Sequence, residues 1–301
     1  MNKRKNILVL AYAISPFRGS EYSVTWNYII NMSTKHNLFI FYGMSGDHMG
    51  DTLELETYLI NKPIPNAIFI PIKPNFFVKI LNYFNTKGIF VYTFYFAYKY
   101  WHKQVYFYAK DFFKKTNIDL IHYLGPIGYR EPGYLWKFNI PYIWGPISGT
   151  KNINFLFFSI FSINGVFKYF TRYILNNLQL FFNPRLKKAL KNTNLLLTAT
   201  SYDYFIFNKV FNKKSITLPE NGFINFNRDY PISYDPTKPL QLVWIGSIDD
   251  RKALVLLLDA LLKLNSNKVV LNIIGDGVLK SNLQNYLSKH IYNFKEVIKN
   301  I

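Results

Sequence analysis

The chain has 301 residues, half of them hydrophobic, and no cysteine. This length favours two domains, the apolar content excludes a globally disordered chain, and the lack of cysteine excludes disulfides, thiolate metal sites and cysteine nucleophiles. The 36 Lys and Arg outnumber the 17 Asp and Glu, giving a formal net charge of +19. Such a surface attracts nucleic acid, anionic lipid or phosphorylated small molecules, although an AT-rich gene would produce the same composition.

The N-terminal stretch MNKRKNILVLAYAIS predicts a buried first strand. Its basic start, apolar run and Ala11-Tyr12-Ala13 also imitate a secretory signal. The apolar run is very short, however, and Gly19 and Glu21 follow it as a turn into the helical pattern YSVTWNYIINM. No uncharged apolar stretch in the sequence reaches the ~18 residues that a membrane-spanning helix needs.

Short apolar runs recur between helical patterns along the chain. They are NILVLAY, NLFIFYG, AIFIPI, IDLIHYLG, IPYIWGP, NLLLTAT, SITLPENG, QLVWIGS and VVLNIIGDG. Several are apolar at nearly every position, which is typical of strands buried on both faces. Helical stretches between them predict parallel sheets of βαβ units, and therefore an α/β fold.

A proline-rich break divides the chain near NFNRDYPISYDPTKP. We interpret residues 226–238 as a linker between an N-terminal domain at 1–225 and an incomplete C-terminal domain at 239–301. The C-terminal part holds only two predicted strands with their helices, which are too few to cover both faces of a doubly wound sheet.

Two long stretches of the predicted N-terminal domain, 76–115 and 153–190, are both aromatic and basic. One interpretation is a peripheral membrane surface, since Tyr and Trp tolerate an interface and Lys and Arg extend to phosphates. The other is a set of long core helices whose lysines are solvated. The sequence leaves both open.

Two glycine turns after predicted strands are candidates for binding a nucleotide. In WIGSIDDRKA, Gly246 and Ser247 allow close backbone approach, and Arg251 and Lys252 stand where the next helix begins. In IIGDGVLKSNLQNYL, the turn Gly275–Asp276–Gly277 repeats the arrangement, although it is not the dinucleotide fingerprint. The alternative is that both are tight, capped turns with solvated cations.

Two candidates lie in the N-terminal half. The turn after the first strand carries Arg18, Gly19, Ser20 and Glu21, whose amides and carboxylate could meet a phosphate or a hydroxyl, while the helix dipole alone would also explain Glu21. His122 closes the strand of DLIHYLGP, where ligand sites open at the carboxyl ends of parallel strands, but a structural histidine there is the alternative. The histidines show no metal-ligand spacing.

Taken in order, these segments resemble the retaining glycosyltransferases of family 4, which have the two-domain GT-B fold. The segments are ILVLAYAISPFRGSEYSVTWNYI, IDLIHYLGPIGYREPGYLWKFNIPYIWGPISGT, LPENGF, LVWIGSIDDRKALVLLLDALLKL and IIGDGVLKSNLQ. Within the family they are most similar to bacterial polysaccharide and lipopolysaccharide enzymes with an AYxxxPxxGSE turn. The resemblance covers the chain from about residue 7 to residue 287.

The resemblance implies a complete N-terminal Rossmann-like domain, a partial C-terminal one, and a cleft that binds a nucleotide-sugar donor. The donor's sugar would pass, with retained configuration, to a saccharide or lipid-linked acceptor. Family members usually need no metal, so we expect no cofactor. We also expect a cytoplasmic protein, peripheral at the inner face of the cytoplasmic membrane, and no nucleic-acid partner, since no recognised nucleic-acid module is present.

The same resemblance assigns roles to the candidate residues. Arg18 to Glu21, with Gly145 and Pro146 of the WGPISGT segment, would line the cleft from the first domain, and His122 would lie near the donor sugar as a catalytic candidate. Lys252 would face the donor diphosphate, where cations stabilise the departing charge, and Gly275 to Gly277 would lie below the nucleotide.

The sequence departs from the family pattern at several positions. Ser247 replaces the usual arginine, which Arg251 could substitute for; Ala253 replaces a glycine; and Ser148 and Thr150 stand where a glycine and an acidic residue are common. The family's pair of glutamates, seven residues apart, is absent. We therefore expect a C-terminally truncated chain with impaired transfer, the alternative being an inactive fragment that acts as a membrane-associated binding or scaffold protein.

Overall fold

The computed structural model describes residues 3–87, 93–220, 235, 237–264 and 269–289. The chain divides into two compact units, which we call the N-unit and the C-unit. The N-unit comprises Met1–Asn152 and Asn176–Phe223, and the C-unit comprises Ile153–Leu175 and Ile224–Ile301. The segment 153–175, which the sequence assigns to the first domain, thus groups with the second unit, and the linker predicted at 226–238 lies almost entirely outside the described residues.

A seven-stranded sheet forms the centre of the N-unit, in the order β3-β2-β1-β4-β5-β6-β7, and every pair of neighbours is parallel. Its strands are β1 Asn6–Ala11, β2 Asn37–Tyr42, β3 Ala67–Pro71, β4 Leu120–Gly125, β5 Tyr142–Ile147, β6 Leu195–Thr198 and β7 Ile216–Thr217. Its helices are α1 Glu21–Ser33, α2 Leu53–Asn61, α3 Phe76–Thr86, α4 Thr93–Lys115, α6 Pro184–Asn192 and α7 Ser201–Phe211. The carboxyl ends of all its strands therefore share one edge, where ligand sites form in such sheets.

Both faces of this sheet are covered, as the continuous apolar runs predict. Leu8 and Leu10 of β1 belong to a core cluster that includes Trp101 of α4. Ile7 and Val9, which point to the opposite face, belong to a second cluster that includes Ile29 of α1. Alternate residues of a strand face opposite sides, so a strand covered on both sides must be apolar throughout.

The C-unit contains a two-stranded parallel sheet, formed by β8 Leu240–Ile245 and β9 Val269–Ile274. The helices α8 Leu254–Leu264 and α9 Lys280–Lys289 follow these strands. Their apolar residues form a separate core with Leu271 and Ile273 of β9. A further helix, α5 Ile163–Phe182, begins in this unit and ends in the N-unit.

Side-chain caps start several of these helices. Asn75 accepts a hydrogen bond from the Val78 amide at the start of α3, and Asn183 accepts from two amides at the start of α6, whose first residue is a proline. Thr200 accepts from the Asp203 amide at the start of α7. Such caps satisfy amides that have no partner within the helix, and proline fits the first turn because it lacks an amide hydrogen.

The two aromatic and basic stretches form helices with large exposed aromatic residues. In 76–115, α4 buries Trp101 and Val105 against the core while Phe96 and Phe107 are exposed. In 153–190, α5 carries Phe167 on its exposed side. Within the described ranges, no helix combines the length and the apolar character needed to cross a bilayer.

Candidate functional site

The two glycine turns predicted to bind a nucleotide lie side by side in the C-unit. Strands β8 and β9 pair in parallel with Ile245 opposite Ile274, so the turns that follow them meet at one edge. The Gly246 amide donates to the Ile274 carbonyl at 3.0 Å, and the Ile248 amide donates to the Asp276 carbonyl at 2.8 Å. Two motifs that are separate in the sequence therefore form one structural feature.

Close contact between the two turns explains why residues 275 and 277 are both glycines. A Cβ at Gly275 would lie 1.9 Å from the Gly246 carbonyl oxygen, and a Cβ at Gly277 would lie 2.4 Å from the Ile248 carbonyl oxygen. Any other residue at 275 or 277 would force the backbones apart, because real Cβ atoms do not approach oxygen so closely. Packing alone thus requires both glycines.

Lys252 lies beside the first turn. Its Cε is 3.6 Å from the position that a Cβ on Gly246 would occupy. The Asp249 carboxylate accepts the Lys252 amide at 3.0 Å and so starts a single 3-10 turn, Asp250–Lys252, before α8. In the described part of the chain, neither the Lys252 ammonium nor the Arg251 guanidinium forms an ion pair or a hydrogen bond. The Lys252 ammonium is therefore available beside Gly246, whereas the charge of Arg251 acts on Tyr169 of α5.

Asp250 attaches this loop to the start of α5 within the C-unit. Its carboxylate accepts the Ser162 amide at 2.7 Å and the Ser162 hydroxyl at 3.1 Å. A Cβ at Gly165 would lie 2.4 Å from the same carboxylate, so glycine is needed where α5 passes. Sequence analysis missed Asp250, because its partner is 88 residues away and no local pattern marks the pair.

The remaining residues predicted to bind the nucleotide-sugar, Ser247 and Asp276, form only local contacts. Ser247 is exposed, and its carbonyl accepts the Asp249 amide at 2.9 Å. The exposed Asp276 accepts its neighbour Gly277's amide at 2.8 Å, and its carboxylate lies 3.8 Å from the Lys280 ammonium. Asp276 therefore has the contacts of a turn residue.

Arg18 of the N-unit is already paired with two carboxylates. Its guanidinium lies 2.5 Å from an oxygen of Asp47 and 3.1 Å from an oxygen of Glu54, and the Ser15 hydroxyl donates to Glu54 at 2.5 Å. The hydrogen bond from Arg18 lowers the pKa of Asp47. Arg18 thus ties the turn after β1 to the start of α2, and its charge is largely neutralised.

Gly19 to Glu21 present a more open surface. No atom lies within 4 Å of a Cβ built on Gly19, so a ligand can approach the backbone there. Ser20 has φ 57°, a left-handed conformation that is costly for serine. The Glu21 carboxylate is half-buried; burial first, and then the nearby Glu220, raise its pKa, while a hydrogen bond from the Ile127 amide opposes the rise.

Glu21 and Glu220 line one small pocket at the carboxyl edge of the sheet. Pro146, Gly125 and Thr25 complete much of its wall. The pKa of Glu220 is also raised, by burial. Glu220 was not predicted as a site residue, although it lies in the LPENGF segment, because the chain alone does not show that residue 220 lies beside Glu21 at the start of α1.

His122 is buried, and both of its ring nitrogens are engaged. Its Nε2 lies 2.8 Å from the Gly145 carbonyl oxygen and its Nδ1 lies 2.7 Å from the Tyr28 hydroxyl oxygen. A carbonyl can only accept, so Nε2 carries the proton and Nδ1 accepts from Tyr28. Burial lowers the pKa of His122 to about 4, so the ring is neutral at physiological pH. These contacts are those of a positioning residue for Gly145, and the catalytic role stays a prediction.

The carboxyl end of β5 and the segment after it are held in a conformation that requires glycine at residue 145. Gly145 has φ 118°, and a Cβ there would lie 2.2 Å from the Leu197 carbonyl oxygen. Thr150, where an acidic residue is common in the resembled family, donates its amide and its hydroxyl to Asp203 at 3.1 and 2.7 Å. Asp203 of α7 thus fixes the position of Thr150 after β5.

The structure therefore gathers the predicted residues into two sets. In the N-unit, Glu21, Pro146 and Glu220 share a pocket, with Gly145 and His122 next to it in sequence or by hydrogen bond. In the C-unit, the two glycine turns meet beside Lys252. Neutral and anionic oxygens in the first set can hydrogen-bond hydroxyl groups, and the Lys252 ammonium of the second can bind an anion.

No protein-family model matches the chain, and no curated protein matches it by sequence. Solved structures do match its fold. TarM is 12% identical, with a TM-score of 0.58, over 100% of this chain and 77% of that one. HepE from Anabaena, solved with UDP and glucose, is 11% identical with a TM-score of 0.52, over 99% of this chain and 69% of that one.

The lipopolysaccharide outer core galactosyltransferase WaaB is 15% identical with a TM-score of 0.51, over 98% of this chain and 68% of that chain. At identities this low the likeness concerns the fold, since one fold supports many functions. The chain has the α/β fold of GT-B glycosyltransferases.

Proposed function

We propose that the chain is a glycosyltransferase that moves a sugar from a nucleotide-sugar to a cell-surface polysaccharide or lipid-linked acceptor, with retained configuration. The bond between the anomeric carbon and the diphosphate breaks, with its electron pair leaving on the diphosphate. The acceptor oxygen bonds to that carbon, and the proton of the acceptor hydroxyl passes to the departing diphosphate. The observation that carries the proposal is the pair of adjoining glycine turns with Lys252 beside Gly246, where its ammonium has no ion-pair partner among the residues that the structure describes.

The chemistry of the C-unit site supports a diphosphate as its ligand. Glycine backbones allow a ligand to approach. Lys252 beside Gly246, with Arg251 as the second predicted cation, attracts the diphosphate more strongly as negative charge builds up on it during its departure. The proposal includes no metal, because these cations take over that role. HepE, with the same fold, was solved with UDP, which makes a uridine nucleotide the first probe.

In the N-unit, we assign the acceptor side to the surface around the small pocket of Glu21, Glu220 and Pro146, which itself has room for about one water molecule. Carboxylates accept hydrogen bonds from sugar hydroxyls, and the open backbone at Gly19 adds amide donors. His122 holds the carbonyl of Gly145 and thereby shapes the wall that contains Pro146. A location at the inner face of the cytoplasmic membrane belongs to the same proposal, since the net charge of +19 favours anionic lipid.

The test compares UDP with UMP by calorimetry, for the wild type, Lys252→Ala and Lys263→Ala. Lys263 is the matched control, an exposed lysine near the end of α8. We expect Lys252→Ala to weaken UDP binding about tenfold or more and UMP binding less, with Lys263→Ala unchanged. Equal UDP affinity in the wild type and Lys252→Ala would sink the proposal, as would the absence of nucleotide binding.

Transfer itself is followed by the anomeric signals of donor and product in NMR. Retention predicts the same anomeric configuration in both, and chelation of divalent metals is expected to leave the rate unchanged. An inverted product would overturn the retaining mechanism while leaving the nucleotide site intact.

A second candidate is a non-catalytic saccharide-binding protein. The charge balance of the loop favours it: Asp249 and Asp250 stand beside Arg251 and Lys252, so the loop carries no net charge, and Ser247 replaces a cation of the resembled family. This candidate predicts saccharide binding without turnover, and it is excluded by sugar transfer that Lys252→Ala abolishes.

A further inference from the structure

The helix α5 has its apolar face on the outside. Ile163, Phe167, Phe170 and Ile174 recur at intervals of three and four residues, so they form one stripe along the helix, and all four are exposed. We call these four residues the outer stripe. Leu178 and Phe181 continue it towards the end of the helix and are also exposed.

The opposite face of α5 is the buried one, and it is not richer in apolar residues. Its buried residues are Gly165, Tyr169, Asn176 and Leu180. A surface helix normally turns its apolar stripe to the core and its polar face to water. In α5 the arrangement is reversed, so burial in the protein's own core does not explain why the outer stripe is apolar.

Charge around α5 indicates what covers the stripe. Between residues 151 and 192 there is no Asp or Glu. The same stretch contains Lys151, Lys168, Arg172, Arg185, Lys187, Lys188 and Lys191. Asp250 also reaches α5, but it does so at Gly165 on the buried face. An apolar stripe in a segment whose own charged residues are all cations matches an anionic lipid surface, where the apolar side chains enter the acyl boundary and the cations meet the headgroups.

Helix α4, in the other aromatic and basic stretch, differs in the way its apolar residues are used. Its apolar stripe, which includes Ala97, Trp101 and Val105, is buried in the N-unit core. Its outer side carries Phe96 and Phe107, but also tyrosines and the ion pair between Asp111 and Lys114. The geometry of α4 is therefore that of an ordinary core helix.

We propose that the outer stripe of α5 is the membrane-binding element of this protein, and that α5 lies in the headgroup plane of an anionic bilayer. This inference rests on the proposed function for the choice of membrane, the one that presents a lipid-linked acceptor. Its tests contain no nucleotide or sugar, so a failure of the membrane contact and a failure of the donor site are observed separately.

The first test is flotation of the full chain with vesicles of phosphatidylcholine containing about one third phosphatidylglycerol. The outer-stripe variant is Phe167→Ser with Phe170→Ser, at residues 73% and 49% exposed, and the matched control is Phe96→Ser with Phe107→Ser, at 56% and 63%. We expect the outer-stripe variant to lose about tenfold or more of its partitioning, and the control to retain it.

Salt and lipid charge complete the first test. Binding of the wild type should weaken as salt is added and should vanish on pure phosphatidylcholine, because the flanking cations need anionic headgroups. Equal partitioning of the two double variants, a greater loss in the Phe96 and Phe107 variant, or no binding of the wild type would each overturn the proposal.

The second test uses the absence of cysteine, which makes single-site labelling direct. A spin label is placed at Phe167→Cys and, as the control, at Phe107→Cys. With vesicles, the label at 167 should become accessible to oxygen and protected from a water-soluble relaxing agent, and the label at 107 should not. If the stripe were instead an interface between two copies, spin–spin broadening at 167 would appear without lipid, and this result would overturn the membrane assignment.

Discussion

Strands β1 and β8 are both apolar along almost their whole length, yet they are buried very differently. In β1 of the N-unit, Ile7 and Val9 are covered on one face and Leu8 and Leu10 on the other. In β8 of the C-unit, the face that includes Val243 and Ile245 is exposed, at 58% and 71%. A continuous apolar run therefore shows what a strand is able to bury, and the neighbouring helices decide how much it does bury.

The candidate sites of the two units are also built differently. In the N-unit, side-chain hydrogen bonds position the backbone, as His122 does for Gly145 and Asp203 does for Thr150. In the C-unit, backbone contacts between the two glycine turns do the same work, and the only long-range side-chain attachment of the loop among the described residues is that of Asp250 to Ser162. The first arrangement is sensitive to protonation, and the second to any added Cβ.

The largest expected effect comes from Gly145→Ala in the N-unit. The new Cβ would lie 2.2 Å from the Leu197 carbonyl, at a residue with φ 118°. Overpacking and the backbone conformation together should cost about 3–5 kcal/mol. Hydrogen exchange of peptides from β5 and β6 measures this loss within the unit concerned.

Gly19→Ala is the control for that substitution, because no atom lies within 4 Å of the new Cβ. We expect its effect to be within about 0.5 kcal/mol. Unchanged exchange in β5 for Gly145→Ala would show that the β5–β6 contact is looser than the structure has it.

The next largest effect is expected from acid, which should lower the free energy of unfolding of the N-unit through His122. Every histidine that the structure describes lies in the N-unit, and burial lowers the pKa of His122 from 6.5 to about 4. As the pH falls, His122 therefore becomes protonated at a higher pH in the unfolded chain than in the folded one. Its contribution to the free energy of unfolding is complete above pH 6.5 and is lost as the pH falls towards 4. The loss should approach about 3 kcal/mol.

The measurement is exchange in β4 as a function of pH, in the wild type and in His122→Gln. The variant is less stable at neutral pH, since Tyr28 and Gly145 lose their partner, but its curve should be flatter between pH 6.5 and 4. Parallel curves for the two proteins would mean that His122 is solvated and titrates normally.

A third comparison places the same substitution in β1 and in β8. Val9→Thr introduces a hydroxyl into a fully covered strand and should cost about 2 kcal/mol. Val243→Thr introduces it on an exposed face and should cost about 0.5 kcal/mol or less, while reducing self-association of the chain at high concentration. Equal costs would show that Val243 is covered in solution, and an unchanged sedimentation coefficient would leave its exposed face without a role in association.

Sequence patterns predicted the strands well, because a β-strand buried on both faces is nearly unmistakable when it is short, apolar and followed by a turn. The runs from NILVLAY to VVLNIIGDG all became strands of parallel sheets. Both glycine turns were also identified in the sequence, and the structure adds that they meet at one edge of the sheet. The roles of Glu220 and Asp250 did not, since each depends on a contact between segments far apart in the chain.

Residue 253 is another position whose structural role the sequence alone does not reveal. The sequence marks Ala253 as a replacement for a glycine, which looks like a small change in side-chain volume. The structure gives it φ 48° and ψ 42°, a left-handed conformation in which the Cβ rather than the volume is costly. Chain order alone does not reveal that the turn between Lys252 and α8 needs this conformation.

Ala253→Gly should therefore relax the C-unit loop slightly, with the smallest effect of the series. Removing the Cβ saves about 1 kcal/mol of conformational strain in the native state, while the freer unfolded chain takes back about half of it. We expect a net gain of about 0.5 kcal/mol, seen as slower exchange at the start of α8 and no change in β5. Ala260→Gly, within α8, is the opposite control and should lose about 1 kcal/mol, because glycine disfavours a helix interior. If Ala253→Gly destabilised α8 as much as Ala260→Gly does, residue 253 would not hold the left-handed conformation between Lys252 and α8.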